Sequence, residues 1–357
     1  MSTTTTSPPI DEARLGALVE QALGDLGSVL QAALVVVGDR LGLYRALVDG
    51  GPQTPAQLAE RTGTVERNVR EWLAAQAAAG YVERDDDRYS LSPEQAALFT
   101  DEDSPAFVMG GFQGMNAAAK ADELLTEAMR TGRGVGWGEH HHDLFRGTER
   151  FFRPGYKANL VQSWLPALDG VVEDLAAGAT VADVGCGFGA STIILGEAYP
   201  ASTFVGFDSH GPSIDAAREQ AAAAGLSEKV RFEVAPAKEI TGSGYRLVCY
   251  FDCLHDMGDP VGALVRAREV LADDGTVLLV EPYAGDSVEE NMTPVGRVFY
   301  AASSLICTPA SQSQEVGLAL GAQAGEARLA EVAREAGFTR VRRAAETPFN
   351  LVLELRP

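Results

Sequence analysis

This chain has no disulfide framework. Its 357 residues include four cysteines, Cys186, Cys249, Cys253 and Cys307, at spacings that suggest no set of bridges. Three of them stand in or beside apolar, strand-like runs, where a thiol is usually a small buried apolar group. A reducing, cytoplasmic setting is therefore expected. No uninterrupted apolar run approaches the roughly 20 residues of a membrane span, so no membrane partner is expected. Met1 to Pro9 have neither a basic start nor an apolar stretch, and they read as a disordered tail and not a signal peptide. Positive charge is scarce: 29 Lys and Arg stand against 50 Asp and Glu, a formal net charge of −21. Nucleic-acid binding rests largely on cations that neutralise phosphates, so no nucleic-acid partner is expected. The acid excess suits a soluble enzyme.

The apolar fraction of 46% is enough for real cores, and the length suggests two domains or one large one. The most informative run is Val181-Ala182-Asp183-Val184-Gly185-Cys186-Gly187-Phe188-Gly189, an apolar strand that stops at three glycines, followed at once by a helix-like segment, 190–198. Glycine lets the backbone turn tightly and approach a ligand, and amides at the start of a helix can bind a polar or anionic group. A second apolar strand, 203–207, ends in Asp208, placed to accept hydrogen bonds from a ribose diol. Strand, Gly-rich turn, helix, strand and acid form the nucleoside-binding half of a doubly wound sheet.

The spacing is G-x-G-x-G, with Asp183 two residues ahead of the first glycine, and not the G-x-G-x-x-G of dinucleotide sites. It resembles motif I of the class I S-adenosylmethionine-dependent methyltransferases. The resemblance implies S-adenosyl-L-methionine as cofactor. Its methionine part would be held by Asp183, Gly185, Cys186, Gly187 and Gly189, and its ribose by Asp208 with Ser209. An NAD-type site is the alternative.

Three segments are expected. In 11–100, apolar residues at helical spacing (Leu15, Leu18, Val19, Leu23, Leu26, Leu30, Leu34) predict two helices, the second over 39–48. Thr54-Pro55 opens another helix that closes on Gly63, and 65–79 gives a further one. Two short strands around Asp85 to Asp87 complete a winged helix. Its helix 65–79 offers Arg67 and Arg70 to a DNA groove but also Glu66 and Glu71; the other reading is a dimerisation and substrate-lid domain. Segment 101–165 is a helical connection broken by Gly110, Gly111, Gly114 and a Gly-rich stretch, 131–138; such loops are often mobile or functional. Segment 166–357 alternates strands (179–184, 203–207, 230–234, 246–251, 276–281) with helices, then ends in a helix at 326–336 and strands at 339–346 and 349–355. Alternation itself supports an α/β parallel sheet. The resemblance implies a Rossmann-like, seven-stranded sheet ending in a reversed hairpin, with the insertion 283–322 beside the cofactor's methyl group.

Ligands in open α/β sheets sit beyond the carboxyl ends of the strands, which puts the loops after 246–251 and 276–281 at the reacting centre. Leu254-His255-Asp256-Met257 resembles the Leu-His-Asp-Trp loop of small-molecule O-methyltransferases, where the histidine is a general base, a role that suits imidazole. His255 is the first catalytic candidate, with Asp256 or Asp259 as the carboxylate to orient it; packing or cofactor contact is its other reading. Met257 stands in place of the tryptophan, as a substrate contact. Glu281 at the end of its strand is placed to orient a histidine or hold a substrate group, or else to cap a loop. After 230–234 no acid awaits adenine, leaving backbone groups with Ala237 and Phe251. The run Glu139-His140-His141-His142-Asp143 has three readings. It is a metal site, a pocket with His141 as second catalytic base and His140, His142 and Trp137 as substrate contacts, or a solvated loop; no metal is assigned. Tyr156 is a candidate cover for the methionine end.

The winged helix, the run from His141 to Tyr156 and Leu254-His255-Asp256-Met257-Gly258-Asp259-Pro260 together look like a group of actinobacterial methyltransferases related to small-molecule O-methyltransferases. That resemblance implies a cytoplasmic homodimer that methylates oxygen or nitrogen of a small, secondary-metabolite-type acceptor with a histidine base. Alternatives are a peptide methyltransferase, whose acidic surface attracts a basic substrate, and a cofactor-sensing DNA-binding regulator.

Overall fold

A computed structural model describes residues 10–357; the tail expected at Met1 to Pro9 lies outside the described residues. The chain divides after Asp101 into two compact units.

The first unit contains helices α1 (Glu12–Arg40), α2 (Leu43–Gly50), α3 (Pro55–Thr62) and α4 (Glu66–Ala78), the hairpin β1 (Glu83–Asp85) and β2 (Arg88–Ser90), and α5 (Pro93–Phe99). Thr54 caps α3 through a reciprocal pair with Gln57, ahead of Pro55, and Gly63 ends the helix in a left-handed conformation. Tyr44 stacks on Phe99 and meets Trp72 edge-on. The Trp72 indole donates to the Leu34 carbonyl at 2.9 Å. The winged helix is present. The two helices expected over 11–48 are α1 and α2; α1, a single 29-residue helix, is long and apolar enough by length and composition to cross a membrane. Leu18, Leu23, Leu26 and Leu30 along it are more than half exposed.

The second unit opens with α6 (Met109–Ala118), α7 (Asp122–Thr131), α8 (Asp143–Asn159) and α9 (Val171–Ala177). Of the glycines expected to break helices here, Gly110, Gly111 and Gly114 lie inside α6, whereas Gly132 ends α7 and Gly134 and Gly136 stand in the loop after it. A Cβ on Gly110 would fall 2.3 Å from the Phe151 amide nitrogen, and one on Gly147 would fall 2.4 Å from that of Gly114. Gly110, Gly114 and Gly147 let α6 and α8 pack backbone to backbone as a tight helix pair.

The sheet follows: β3 (Thr180–Val184), β4 (Thr203–Asp208), β5 (Val230–Val234), β6 (Tyr245–Phe251), β7 (Leu271–Pro282), β8 (Arg340–Glu346) and β9 (Asn350–Arg356), in the spatial order β5-β4-β3-β6-β7-β9-β8. β5, β4, β3, β6 and β7 run parallel, and β9 pairs antiparallel with β7 and β8. α10 (Ala190–Ala198), α11 (Gly211–Ala223), α12 (Pro260–Val270) and α15 (Gly325–Glu335) cover it. Leu195, Ile214, Trp164 and Val181 form the core on one face; Leu264, Val332, Phe207 and Tyr250 form it on the other. Burial on both faces explains why β3 is apolar apart from Thr180 and Asp183. The insertion folds as α13 (Pro294–Ala302), a π-helical segment Ser303–Cys307, and α14 (Thr308–Gln312). The strand order reverses at β3, so the crevice at its carboxyl end is where a ligand belongs.

Candidate active site

Gly185 and Gly187 carry φ of 74° and 53°, and Gly189, at 80°, caps α10. Only glycine takes such a series cheaply. The turn opens into a cavity of about 550 Å³. Cys186, Gly185, Gly187, Asp208, Ser209 and Ala237 line it, as do Phe251, Tyr156, Trp137 and Met257. Ten of the residues singled out in the sequence are thus brought together.

Two backbone amides fix the Asp208 carboxylate. Gly187 N–H donates to Oδ2 at 2.9 Å and His210 N–H to Oδ1 at 2.8 Å. Each oxygen keeps a lone pair for a diol. Asp183 lies behind the turn, 1% exposed, and accepts both Ser191 and Thr192 hydroxyls on Oδ2 at 2.6 Å. Its Oδ1 is buried without a hydrogen-bond partner among the described residues. Burial lifts its pKa to about 6 despite the two hydroxyls. Gly189 also stays off the cavity; a Cβ there would meet Phe232 at 2.6 Å, so it serves packing of α10 on the sheet.

His255 and Glu281 form a buried pair. His255 Nδ1 lies 2.5 Å from Glu281 Oε2, and Glu281 Oε1 accepts the Leu254 N–H at 2.9 Å. The other ring nitrogen of His255 faces Cys307 Sγ at 3.3 Å, so the imidazole stands behind the cavity wall formed by Cys253, Asp256 and Met257. Burial opposes its protonation, but Glu281 and Cys307 hold its pKa well above the ordinary value.

The histidine run is not gathered into the cavity. His141 and His142 stack on each other at 4.1 Å and lie against Asp143, at 3.4 and 3.9 Å. The first turn of α8 directs them onto that carboxylate, which is why pocket roles for them have no geometric basis here. The ligand atoms of His141, His142 and Asp143 lie within 4.8 Å of one another, and Lys120 Nζ already stands 3.8 Å from Asp143. His140 is buried, its two ring nitrogens lacking hydrogen-bond partners among the described residues, and burial lowers its pKa.

Several lining residues could not be picked out from the sequence. Asp252 receives the Tyr156 hydroxyl at 2.9 Å. Asp256, by contrast read from the sequence as a carboxylate to orient His255, lines the cavity while Glu281 takes that place, and burial raises its pKa to about 7. Glu149 of α8 is raised by burial too, 3.4 Å from Arg153 Nε. Gln314 and Glu315 come from the insertion, and Glu315 pairs with Lys238 at 2.8 Å, which also holds Asp259 at 3.1 Å. The only signal for them was their nearness to α8, β6 and the insertion.

The ring of carboxyl groups decides what fits. Glu149, Asp208, Asp252 and Asp256 face the cavity. Lys238, the sole lysine or arginine lining it among the described residues, is engaged by two acids. A pyrophosphate would meet uncompensated anions there. A nucleoside that carries a sulfonium and an ammonium finds counter-charge, a diol acceptor at Asp208 and side-chain-free backbone at Gly185 and Gly187. The residues present fit S-adenosylmethionine.

Comparison with known proteins agrees. Residues 175–337 match the family described as a methyltransferase domain, and residues 30–101 the Rv2258c-like winged HTH domain. No curated protein matches the chain by sequence. Among solved structures, the chain is similar to the mitomycin 7-O-methyltransferase MmcR, with 23% identity and a TM-score of 0.69 over 97% of this chain and 100% of that one. Human N-acetylserotonin methyltransferase, solved with S-adenosylmethionine, shares 17% identity at a TM-score of 0.71, over 98% and 99% of the two chains. The O-methyltransferase NcsB1 from neocarzinostatin biosynthesis, solved with S-adenosylhomocysteine and 1,4-dihydroxy-2-naphthoic acid, shares 22% at 0.63, over 94% and 98%. At such identities the likeness establishes the fold. The chain thus contains a methyltransferase domain of Rossmann-like fold, the kind that takes S-adenosylmethionine as cofactor, behind an N-terminal Rv2258c-like winged-helix domain.

Proposed function

We propose that this chain moves a methyl group from S-adenosylmethionine to an oxygen or nitrogen of a small, secondary-metabolite-type acceptor. The observation that carries the cofactor half is the acid-lined cavity over the Gly185–Gly187 turn; the small acceptor is supported by what the solved relatives act on. When bound, the cofactor supplies an electrophilic methyl on a cationic sulfur. The chain's own residues do the rest. Asp208 holds the ribose, the Gly185 and Gly187 amides border the amino-acid end, and Phe251, Tyr156 and Trp137 exclude water so that nucleophile and methyl stay aligned. His255, backed by Glu281, is the proton acceptor. Its Nε2, faced by Cys307, reaches an acceptor only with the Ser303–Cys307 segment displaced; π-helical turns of this kind often sit at functional sites.

The same reading makes the protein a cytoplasmic homodimer with no nucleic-acid or membrane partner. Its four free cysteines suit a reducing compartment, and a second copy would cover the apolar face of α1. On α4, Arg67 and Arg70 are already paired with Glu71 and Glu66 at 2.6 and 2.5 Å, which leaves little charge for a phosphate backbone.

Calorimetry with S-adenosylhomocysteine tests the cofactor site. Micromolar binding is expected, weakened about tenfold or more in Asp208→Ala, where two charge-assisted hydrogen bonds are lost. Wild-type protein giving no heat at high micromolar ligand would refute the reading.

A further inference from the structure

At the carboxyl end of β6 the backbone enters the left-handed region at Asp252, with φ of 50°. For a residue other than glycine this conformation is uncommon and strained, and it persists where the surroundings impose it. Three elements impose it here. Tyr156 of α8 donates its hydroxyl to Oδ2 at 2.9 Å, and Asn350 of β9 donates Nδ2–H to Oδ1 at 3.0 Å. The Asp252 amide donates to the Val280 carbonyl of β7 at 2.8 Å. The carboxyl so fixed lines the cavity, and both of these side-chain donors are neutral. Among the described residues no lysine or arginine pairs with it. Its charged neighbours are Glu281, which repels its ionised form, and His255, which is itself committed to Glu281.

A buried carboxylate turned into a cavity without a cation is costly unless a ligand brings the counter-charge. We propose that Asp252 is the seat of an ammonium group, the α-ammonium of the methionine part of the bound cofactor; the assignment rests on the methyltransferase reading. Each carboxylate oxygen accepts one hydrogen bond from a neutral donor and keeps a second acceptor site, so an ammonium displaces neither donor. The location selects the cofactor's amine over an acceptor's. β3 and β6 pair with Asp183 opposite Cys249 and Val184 opposite Tyr250. Continued by two residues, that register sets Gly185 and Cys186 level with Phe251 and Asp252. Asp252 therefore flanks the very turn whose missing side chains admit the ligand, where an added Cβ at Gly185 would stand 2.7 Å from Cys253 Sγ.

The carboxyl must ionise to take an ammonium. Burial, with Glu281 adding to it, holds the Asp252 pKa at about 7 against the pull of Tyr156, His255 and Asn350. Affinity for an amine-bearing ligand is thus lost as pH falls through neutrality. Asp183 and Asp256 change charge in the same range, so the contribution of Asp252 is the difference between wild type and variant.

The test is calorimetry on the full chain, wild type and Asp252→Asn, with two probes: S-adenosylhomocysteine and 5′-methylthioadenosine, which keeps the nucleoside and thioether but lacks the amino-acid end. Asparagine suits the left-handed backbone. The variant is expected to bind S-adenosylhomocysteine about ten- to a hundredfold more weakly, with a flatter pH dependence, and to bind methylthioadenosine within about twofold of wild type. The second result also shows that the pocket is intact. Equal S-adenosylhomocysteine affinity in both proteins overturns the seat, and so does an equal loss of both probes in the variant, which would mark Asp252 as structural. Failure of the wild type to bind either probe would instead sink the methyltransferase reading, and the seat with it.

Discussion

The imidazole of His255 is bracketed, with Glu281 on Nδ1 and Cys307 on Nε2. A base must be neutral before it can accept a proton, and this one has its pKa held well above the usual value by Glu281. The sign follows: the neutral form, and with it turnover, grows as pH rises above neutrality. Methyl transfer from a labelled donor into host-cell extract is expected to climb across the alkaline range. In His255→Ala the rate should drop about 10²- to 10⁴-fold, the usual reach of general-base catalysis. A variant that turns over at the wild-type rate would remove His255 from the mechanism. The sequence pointed to His255 and Glu281 separately, through the ends of two strands. Glu281 was read as placed to orient a histidine, and it holds His255; that a thiol occupies the remaining nitrogen was not legible, because Cys307 stands 52 residues from His255 in sequence.

Between elements, glycine carries information that spacing cannot convey. Gly110 and Gly114, expected as helix breakers, and Gly147, which was not, would each weaken a helix, because isolated glycine lowers helix stability by about 1 kcal/mol relative to alanine. In the structure they are the contact surface of α6 with α8, and α8 in turn presents Phe152, Tyr156 and Glu149 to the cavity. Gly147→Ala would raise helix propensity locally yet drive a methyl group against the Gly114 backbone. The clash should dominate, destabilising the protein by about 1–3 kcal/mol, read as a lower urea midpoint. A midpoint at or above that of wild type would show that the helices part without cost.

For the molecule as a whole, the N-terminal part of α1 is apolar yet exposed, while its other end packs through Val35 and Val36. Leu23 and Leu26 are each 63% exposed and Leu30 70%, a contiguous apolar stripe of the kind that marks an interaction surface. Light scattering is expected to give twice the chain mass, and replacing Leu23, Leu26 and Leu30 together by glutamine should return it to one. A wild-type protein that scatters as a monomer would contradict the dimer.

Local physics made half of this protein readable from residues. Glycine's freedom at positive φ, the apolar strands and the acid closing β4 are demands on short stretches of chain, so the fold class and the nucleoside-binding turn were legible. The winged helix was legible too, through its caps and its acidic hairpin. Asp252 was not. Nothing adjacent distinguishes it from other loop acids, and its role depends on Tyr156 and Asn350, which lie 96 and 98 residues away. Likewise the histidine run looked rich in chemistry, but the start of α8 turns it onto Asp143 and away from the cavity. Composition and pattern specify which backbone can form a pocket; which charges face it, and which are left without a partner, is settled only when distant strands and helices close around the same space.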